Sequence, residues 1–172
     1  MESSTKGLRI LITASASGIG LAVAQAFRDT GARVHICDIN EEQLDTCRES
    51  LPGVGISCAD ISKPGEVDSL FEDALSSLGG LDVLVNNAGI AGPTARVEDV
   101  DPKDWDRTMA VNINGQFYCA RKAVPLIKDA GGGSIVNMSS SAGIMGYPLR
   151  SPYAASKWAV IGLTKTMAME LG

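Results

Sequence analysis

The strongest constraint on the fold is periodicity: the chain passes five times from a short β-type run into a longer run of helical spacing. Residues 8–12, 33–38, 54–59, 81–86 and 134–138 read as strands. Between and after them lie helical patterns. Residues 19–28 carry Ile19, Ala22, Val23, Ala26 and Phe27 on one stripe, and Gly31 follows as a stop. Residues 41–51 form a polar helix with Asn40 at the N-cap position. Val67, Leu70, Phe71, Ala74, Leu75 and Leu78 mark a third helix, residues 102–128 a long fourth and residues 151–171 a last one. Strands alternating with crossover helices imply an α/β fold with a doubly wound parallel sheet and helices on both faces. The apolar strands agree, because parallel strands are buried on both sides. No linker, repeat or low-complexity segment interrupts the pattern, so residues 1–172 read as a single domain.

Composition narrows the function classes. Net charge is −5 with no basic run, which argues against nucleic acid and anionic membranes as partners. Cys37, Cys47, Cys58 and Cys119 are scattered, and His35 is the only histidine, so no metal site is expected. Residues 1–6 are polar, and the apolar run after them is too short for a signal segment or a membrane span. The expected location is cytoplasmic, with reduced thiols.

The first strand-to-helix turn is Thr13-Ala14-Ser15-Ala16-Ser17-Gly18-Ile19-Gly20. A Rossmann-like domain holds pyrophosphate at this place, where small residues let the backbone approach and the helix N-terminus offers free N–H groups. Ser15, Ser17, Gly18, Ile19 and Gly20 are the candidate contacts. Asp38 ends the second strand, twenty residues after Gly18. A carboxylate there accepts from both ribose hydroxyls of an adenosine and repels a 2′-phosphate, which selects NAD over NADP. The competing reading is an ordinary turn aspartate.

Tyr153 and Lys157 stand four apart on a helical segment and so share a face. A free tyrosine holds its proton too tightly to act as a base near neutrality, and an adjacent ammonium favours the phenolate. Such a tyrosine can exchange a proton with a hydroxyl or carbonyl while NAD exchanges hydride. Ser139-Ser140-Ser141 follow the fifth strand, at the sheet end where open α/β sheets bind ligands. A serine there can bond the reacting oxygen, or the run is a turn cluster.

In this order the motifs resemble those of the short-chain dehydrogenase/reductase family, in its shorter single-domain branch. The turn at residues 13–20 resembles the family's Thr-Gly-x-x-x-Gly-x-Gly, and Asn86-Asn87-Ala88-Gly89 its Asn-Asn-Ala-Gly. Asn112 resembles its active-site asparagine, and Tyr153-Ala154-Ala155-Ser156-Lys157 its Tyr-x-x-x-Lys. The family's serine precedes the tyrosine by thirteen residues, which selects Ser140. The resemblance implies Tyr153 as acid/base, Lys157 also on the nicotinamide ribose, Ser140 on the substrate oxygen, and Asn112 holding a relay water beside Lys157. It implies Asp60 and Ile61 at the adenine, and Asn87, Ala88 and Gly89 along the cofactor cleft. Asn86 has the plainer alternative of stabilising a strand end.

Two departures stand out. Ala14 replaces the first turn glycine, at a cost of about 1 kcal/mol if φ is positive there and almost none if it is negative. The chain also stops at Gly172, before the two further strands and substrate lid that the resemblance implies, so a C-terminally incomplete fold is expected. The function expected is hydride transfer between NAD(H) and a secondary alcohol or ketone; the alternative is a non-catalytic dinucleotide-binding module or an inactive fragment of such an enzyme. Residues 90–96 and 142–150 are the expected substrate walls, with Arg96 and Arg150 either meeting an anion or merely solvated. The resemblance further implies a homo-oligomer, dimer or tetramer, through the apolar last helix.

Overall fold

In the computed structural model, which describes residues 5–172, the elements follow the expected alternation. Residues 1–4 of the polar N-terminal stretch lie outside the described residues. The strands are β1 Arg9–Thr13, β2 Arg33–Asp38, β3 Gly55–Cys58, β4 Val83–Asn86 and β5 Ser134–Asn137. The helices are α1 Gly18–Asp29, α2 Glu41–Ser50, α3 Pro64–Leu78, α4 Pro102–Met109, α5 Gly115–Asp129 and α6 Ser151–Leu171. Local chemistry sets their ends. The Asn40 side chain accepts from the Gln43 amide at 3.0 Å and caps α2. Asp101 caps α4 through the Lys103 amide at 2.8 Å, with Pro102 in the first turn. Gly79 closes α3 in the left-handed region, at φ 73°.

The long helix expected over residues 102–128 is interrupted. Ala110–Asn114 is a π-turn, where the Gly115 amide reaches back to the Ala110 carbonyl. Its amphipathic pattern continues through the break, which is why periodicity alone does not reveal it.

All strand pairs are parallel, in the order β3-β2-β1-β4-β5. Side-chain alternation divides the core into two layers. Ile10, Ile12, Val34 and Ile36 pack with Ala24, Leu44, Cys47 and Leu51 on the α1–α2 face. Leu11, Cys37 and Leu84 pack with Leu70, Phe71, Leu78, Cys119 and Ala123 on the α3–α5 face. The chain runs outward from β1 to β3, then crosses back to β4 on the other side of β1. That reversal opens a crevice beyond the carboxyl ends of β1 and β4, the place where open α/β sheets bind ligands.

Candidate active site

The crevice floor is the turn after β1. The Thr13 hydroxyl accepts from the Asn87 and Ala88 amides, both at 3.1 Å, and Asn87 Nδ2 donates to the carbonyls of Thr13 at 3.0 Å and Ala14 at 2.8 Å. Turn and β4 are thus one rigid unit. Ala14 has φ 50°, so the left-handed conformation is required here and the alanine is strained. Gly20 is a glycine of necessity: a Cβ there would stand 2.3 Å from the Ala14 carbonyl oxygen and 2.7 Å from Asn87 Nδ2. Ser17, at the N-cap of α1, makes no side-chain capping bond, and the first amides of α1 lack partners within the helix. Ser15 is turned away from the crevice. It is fully buried, its amide donates to the Cys37 carbonyl at 3.0 Å and its hydroxyl to the Ile12 carbonyl at 2.7 Å.

A cleft of about 440 Å³ extends from this turn, lined among others by Ala14, Ser17, Ile19, Asp38, Asp60 and Ile61. Asn87, Ala88 and Gly89 line it as well. Asp38 sits at its rim and also serves the turn: Oδ2 accepts from the Ala16 amide at 3.1 Å, and Oδ1 from those of Ile39 and Asn40 at 2.8 and 3.2 Å. A carboxylate has about four acceptor positions, so one remains. Asp60 is partly buried, which works against its charge, but the Ser62 hydroxyl at 2.6 Å and amide at 3.0 Å and the Arg107 guanidinium at 3.3 Å outweigh that and hold it below the usual carboxylate range. Arg107 reaches the cleft from α4 and was not indicated by any sequence signal; its partners are forty-five and forty-seven residues away.

The second cluster lies where Gly89 meets α6. A Cβ on Gly89 would be 3.3 Å from both Asn112 Oδ1 and Lys157 Nζ. Lys157 is only 4% exposed; its ammonium donates to the Met138 carbonyl at 2.7 Å and lies 5.7 Å from the centroid of the Tyr153 ring. Burial pulls its pKa below the usual lysine value. Asn112 is fully buried in the π-turn. It accepts from the Ile90 amide at 2.7 Å and donates to the Ile90 carbonyl at 2.9 Å and to Ser156 Oγ at 3.0 Å. Ser156 in turn donates to the Tyr153 carbonyl at 2.7 Å. Its place three residues after Tyr153, on the same helix face, was a readable signal for this contact.

The three serines separate by their bonds. Ser139 Oγ donates to the Lys157 carbonyl at 2.9 Å, Ser140 Oγ accepts from the Ala142 amide at 3.2 Å and keeps its own hydrogen free to donate, and Ser141 is exposed. Tyr153, Lys157 and Asn112 therefore form one connected group, and Ser140 begins the turn that packs against α6.

The family model for the short chain dehydrogenases matches residues 9–172. The chain is 41% identical over 169 residues to an uncharacterized oxidoreductase of Thermotoga maritima, covering 96% of this chain and 66% of that protein. It is 41% identical over 166 residues to a 3beta-hydroxysteroid dehydrogenase of Mediterraneibacter gnavus, covering 94% of this chain and 59% of that one. The structure is similar to that of NAD+-bound xylitol dehydrogenase, with a TM-score of 0.92 at 31% identity over 98% of this chain and 66% of that one. The chain spans about two thirds or less of the length of these relatives. With its strand order, its turn after β1 and its matched residues taken together, the chain belongs to the short-chain dehydrogenase family.

Proposed function

We propose that this chain is the nucleotide-binding and catalytic portion of an NAD-dependent dehydrogenase that interconverts a secondary alcohol and a ketone. The observation that carries the reading is the buried Lys157 ammonium beside the Tyr153 ring. Burying a charge is costly, and an ammonium held beside a phenol in this way is placed to favour the phenolate.

The residues of the cleft fit a dinucleotide. Gly20 leaves the backbone room that a Cβ would fill, the first amides of α1 are free for phosphate, and Asp38 keeps an acceptor position for a ribose hydroxyl while repelling a 2′-phosphate. Ser15, with its donors committed inside the turn, shapes that turn and does not contact the cofactor. Asp60 and Ile61 flank the adenine, and Arg107 fixes Asp60. Bound NAD supplies the hydride acceptor, or in its reduced form the donor.

The chain's own groups handle the proton. Tyr153 Oη takes it from the substrate hydroxyl, or returns it to the ketone oxygen. The Lys157 charge stabilises the phenolate as it forms. Ser140 donates its hydroxyl hydrogen to the same substrate oxygen and orients it. Both amide hydrogens of Asn112 are committed, so a relay water beside Lys157 is held by an oxygen of Asn112. Copies of the protein associate through α6, which exposes Trp158 and Met169, and sedimentation tests that part of the proposal. A family fold that only binds dinucleotide could use Lys157 on the nicotinamide ribose but would have no need of the Tyr153 phenol beside it.

The test is Tyr153→Phe. It keeps the ring and removes the transferable proton, so NAD binding persists while NAD-linked turnover falls by about 100-fold to 10,000-fold. Near-normal turnover in this variant refutes the assignment. A wild-type protein that binds NAD but oxidises no alcohol in a broad panel supports the alternative, a non-catalytic dinucleotide-binding module or an inactive fragment of such an enzyme.

A further inference from the structure

Arg107 stands in the last turn of α4, where a cation complements the helix carbonyls and needs no other reason. Its side chain nevertheless crosses to the loop between β3 and α3, and it lines the cleft together with Asp60. The hydrogens at this corner can be assigned. Ser62 Oγ accepts from Arg107 Nη1 at 2.8 Å, so its single hydrogen goes to Asp60 Oδ1 at 2.6 Å. Nη1 gives its second hydrogen to Asp60 Oδ2 at 3.3 Å. The Ser62 amide also donates to Oδ1, at 3.0 Å. The Asp60 amide donates to Glu66 Oε2 at 2.7 Å, so the backbone is fixed as well as the carboxylate. A carboxylate has about four acceptor positions. Three are filled, and the one that remains is on Oδ2, beside the Arg107 bond.

Resting on the reading above, which sets the adenine beside Asp60 and Ile61, we propose that Arg107 is a positioning residue for the purine. Through Ser62 and Asp60 it fixes one carboxylate acceptor where the 6-amino group of adenine donates, and so makes the cleft select adenine over a 6-oxo purine. A 6-oxo group sets acceptor against acceptor and leaves both without a hydrogen. Without Arg107 the Ser62 hydroxyl is free to turn and Oδ2 loses its fixed donor, so the carboxylate no longer holds one orientation. Nε and Nη2 of Arg107 have no partner among the described residues, so a direct bond to the cofactor is the competing role. Ser62 tells the two apart, because it belongs only to the path through Asp60.

The experiment is calorimetric titration of the protein with NAD and with nicotinamide hypoxanthine dinucleotide, which differs at the purine 6-position. Wild type is expected to bind NAD at least about tenfold more tightly, the worth of one hydrogen bond to a charged group. Arg107→Met is expected to bring the two within about threefold, chiefly by weakening NAD. Arg107→Lys keeps a charged donor and is expected to restore most of the preference. Ser62→Ala is expected to narrow it with Arg107 untouched, and decides alone if Arg107→Met fails to fold. Equal binding of the two dinucleotides by wild type overturns the proposal. So does an Arg107→Met variant that weakens both by one factor, the mark of a merely structural ion pair. A Ser62→Ala variant with the wild-type preference overturns it in favour of direct contact. Binding of neither dinucleotide overturns the proposal together with the reading it rests on. The expected preferences without NAD-linked oxidation of any alcohol would keep the role of Arg107 and sink the dehydrogenase reading.

Discussion

His35, the sole histidine of the chain, gives a sharp prediction about acid. It is 2% exposed in β2, with Nδ1 2.7 Å from Ser77 Oγ and Nε2 2.9 Å from Ser57 Oγ. Ser57 donates its hydrogen to Asp73 at 2.9 Å, so it accepts from Nε2–H, and the neutral ring then accepts from Ser77 at Nδ1. Burial lowers the histidine pKa from 6.5 to about 4, the Asp73 charge opposing. A histidine with a depressed native pKa binds its proton more readily in the unfolded chain. Its contribution is therefore complete above pH 6.5 and is lost as pH falls towards 4. The full span is about 3 kcal/mol, of which about 2 kcal/mol is gone by pH 5. Protonation leaves no orphaned group, because Ser77 can turn its hydroxyl to the Ala74 carbonyl at 3.1 Å; the cost is the buried charge itself. Urea unfolding of wild type and His35→Gln at pH 8, 7, 6 and 5 isolates this contribution from the carboxylates, which titrate in both. Wild type should lose about 2 kcal/mol more than the variant over that range. A constant difference between them, or a ring resonance that titrates at 6.5 or above by NMR, refutes the reasoning.

Ala14→Gly relieves about 1–2 kcal/mol of left-handed strain and gives back about 0.4–1 kcal/mol through the freer unfolded chain, so stability should rise by up to about 1.6 kcal/mol in urea unfolding, with NAD affinity changed less than about tenfold. Asp38→Asn keeps an oxygen for the turn amides but removes the charge, so paired dissociation constants should show the wild-type preference for NAD over NADP narrowing; a wild type that prefers NADP sinks the assignment. Ser139→Ala removes the bond to the Lys157 carbonyl and should cost about 1 kcal/mol of stability, whereas Ser140→Ala should cost turnover first, and the reverse ranking would mean that the serine was misassigned.

Much of this architecture was legible because short-range rules govern it. β2 and α6 have the bounds that the pattern implied, one closed by Asp38 and the other opened by Ser151 and Pro152. Periodicity placed the strands within a residue or two at their ends. What escaped the sequence depends on distant partners. Nothing local says whether Ala14 must be left-handed; the bonds from Asn87, seventy-three and seventy-four residues on, hold it so. Arg107 reads as one more surface charge until α4 brings it to Asp60. Nothing near Arg150 in sequence shows that its Nη1 donates to the carbonyls of Ala91 and Gly92. Ser15 belongs to a phosphate-binding motif by position, yet its side chain faces inward.

The π-turn at Ala110–Asn114 makes this part of the protein sensitive to length in a way that substitution would not expose. A wide turn holds one residue more than a regular helix would at that place, and each residue advances a helix by about 100°. Removing a single residue there would let the backbone relax into an unbroken helix at little local cost. It would also rotate α5 by that angle relative to α4. Cys119 and Ala123 could then no longer face the sheet while Arg107 faced Asp60 and Asn112 faced Ile90. The segment should accept exchange at exposed Asn114 far more readily than a one-residue insertion or deletion beside it, since its count of residues sets the phase between cleft and core.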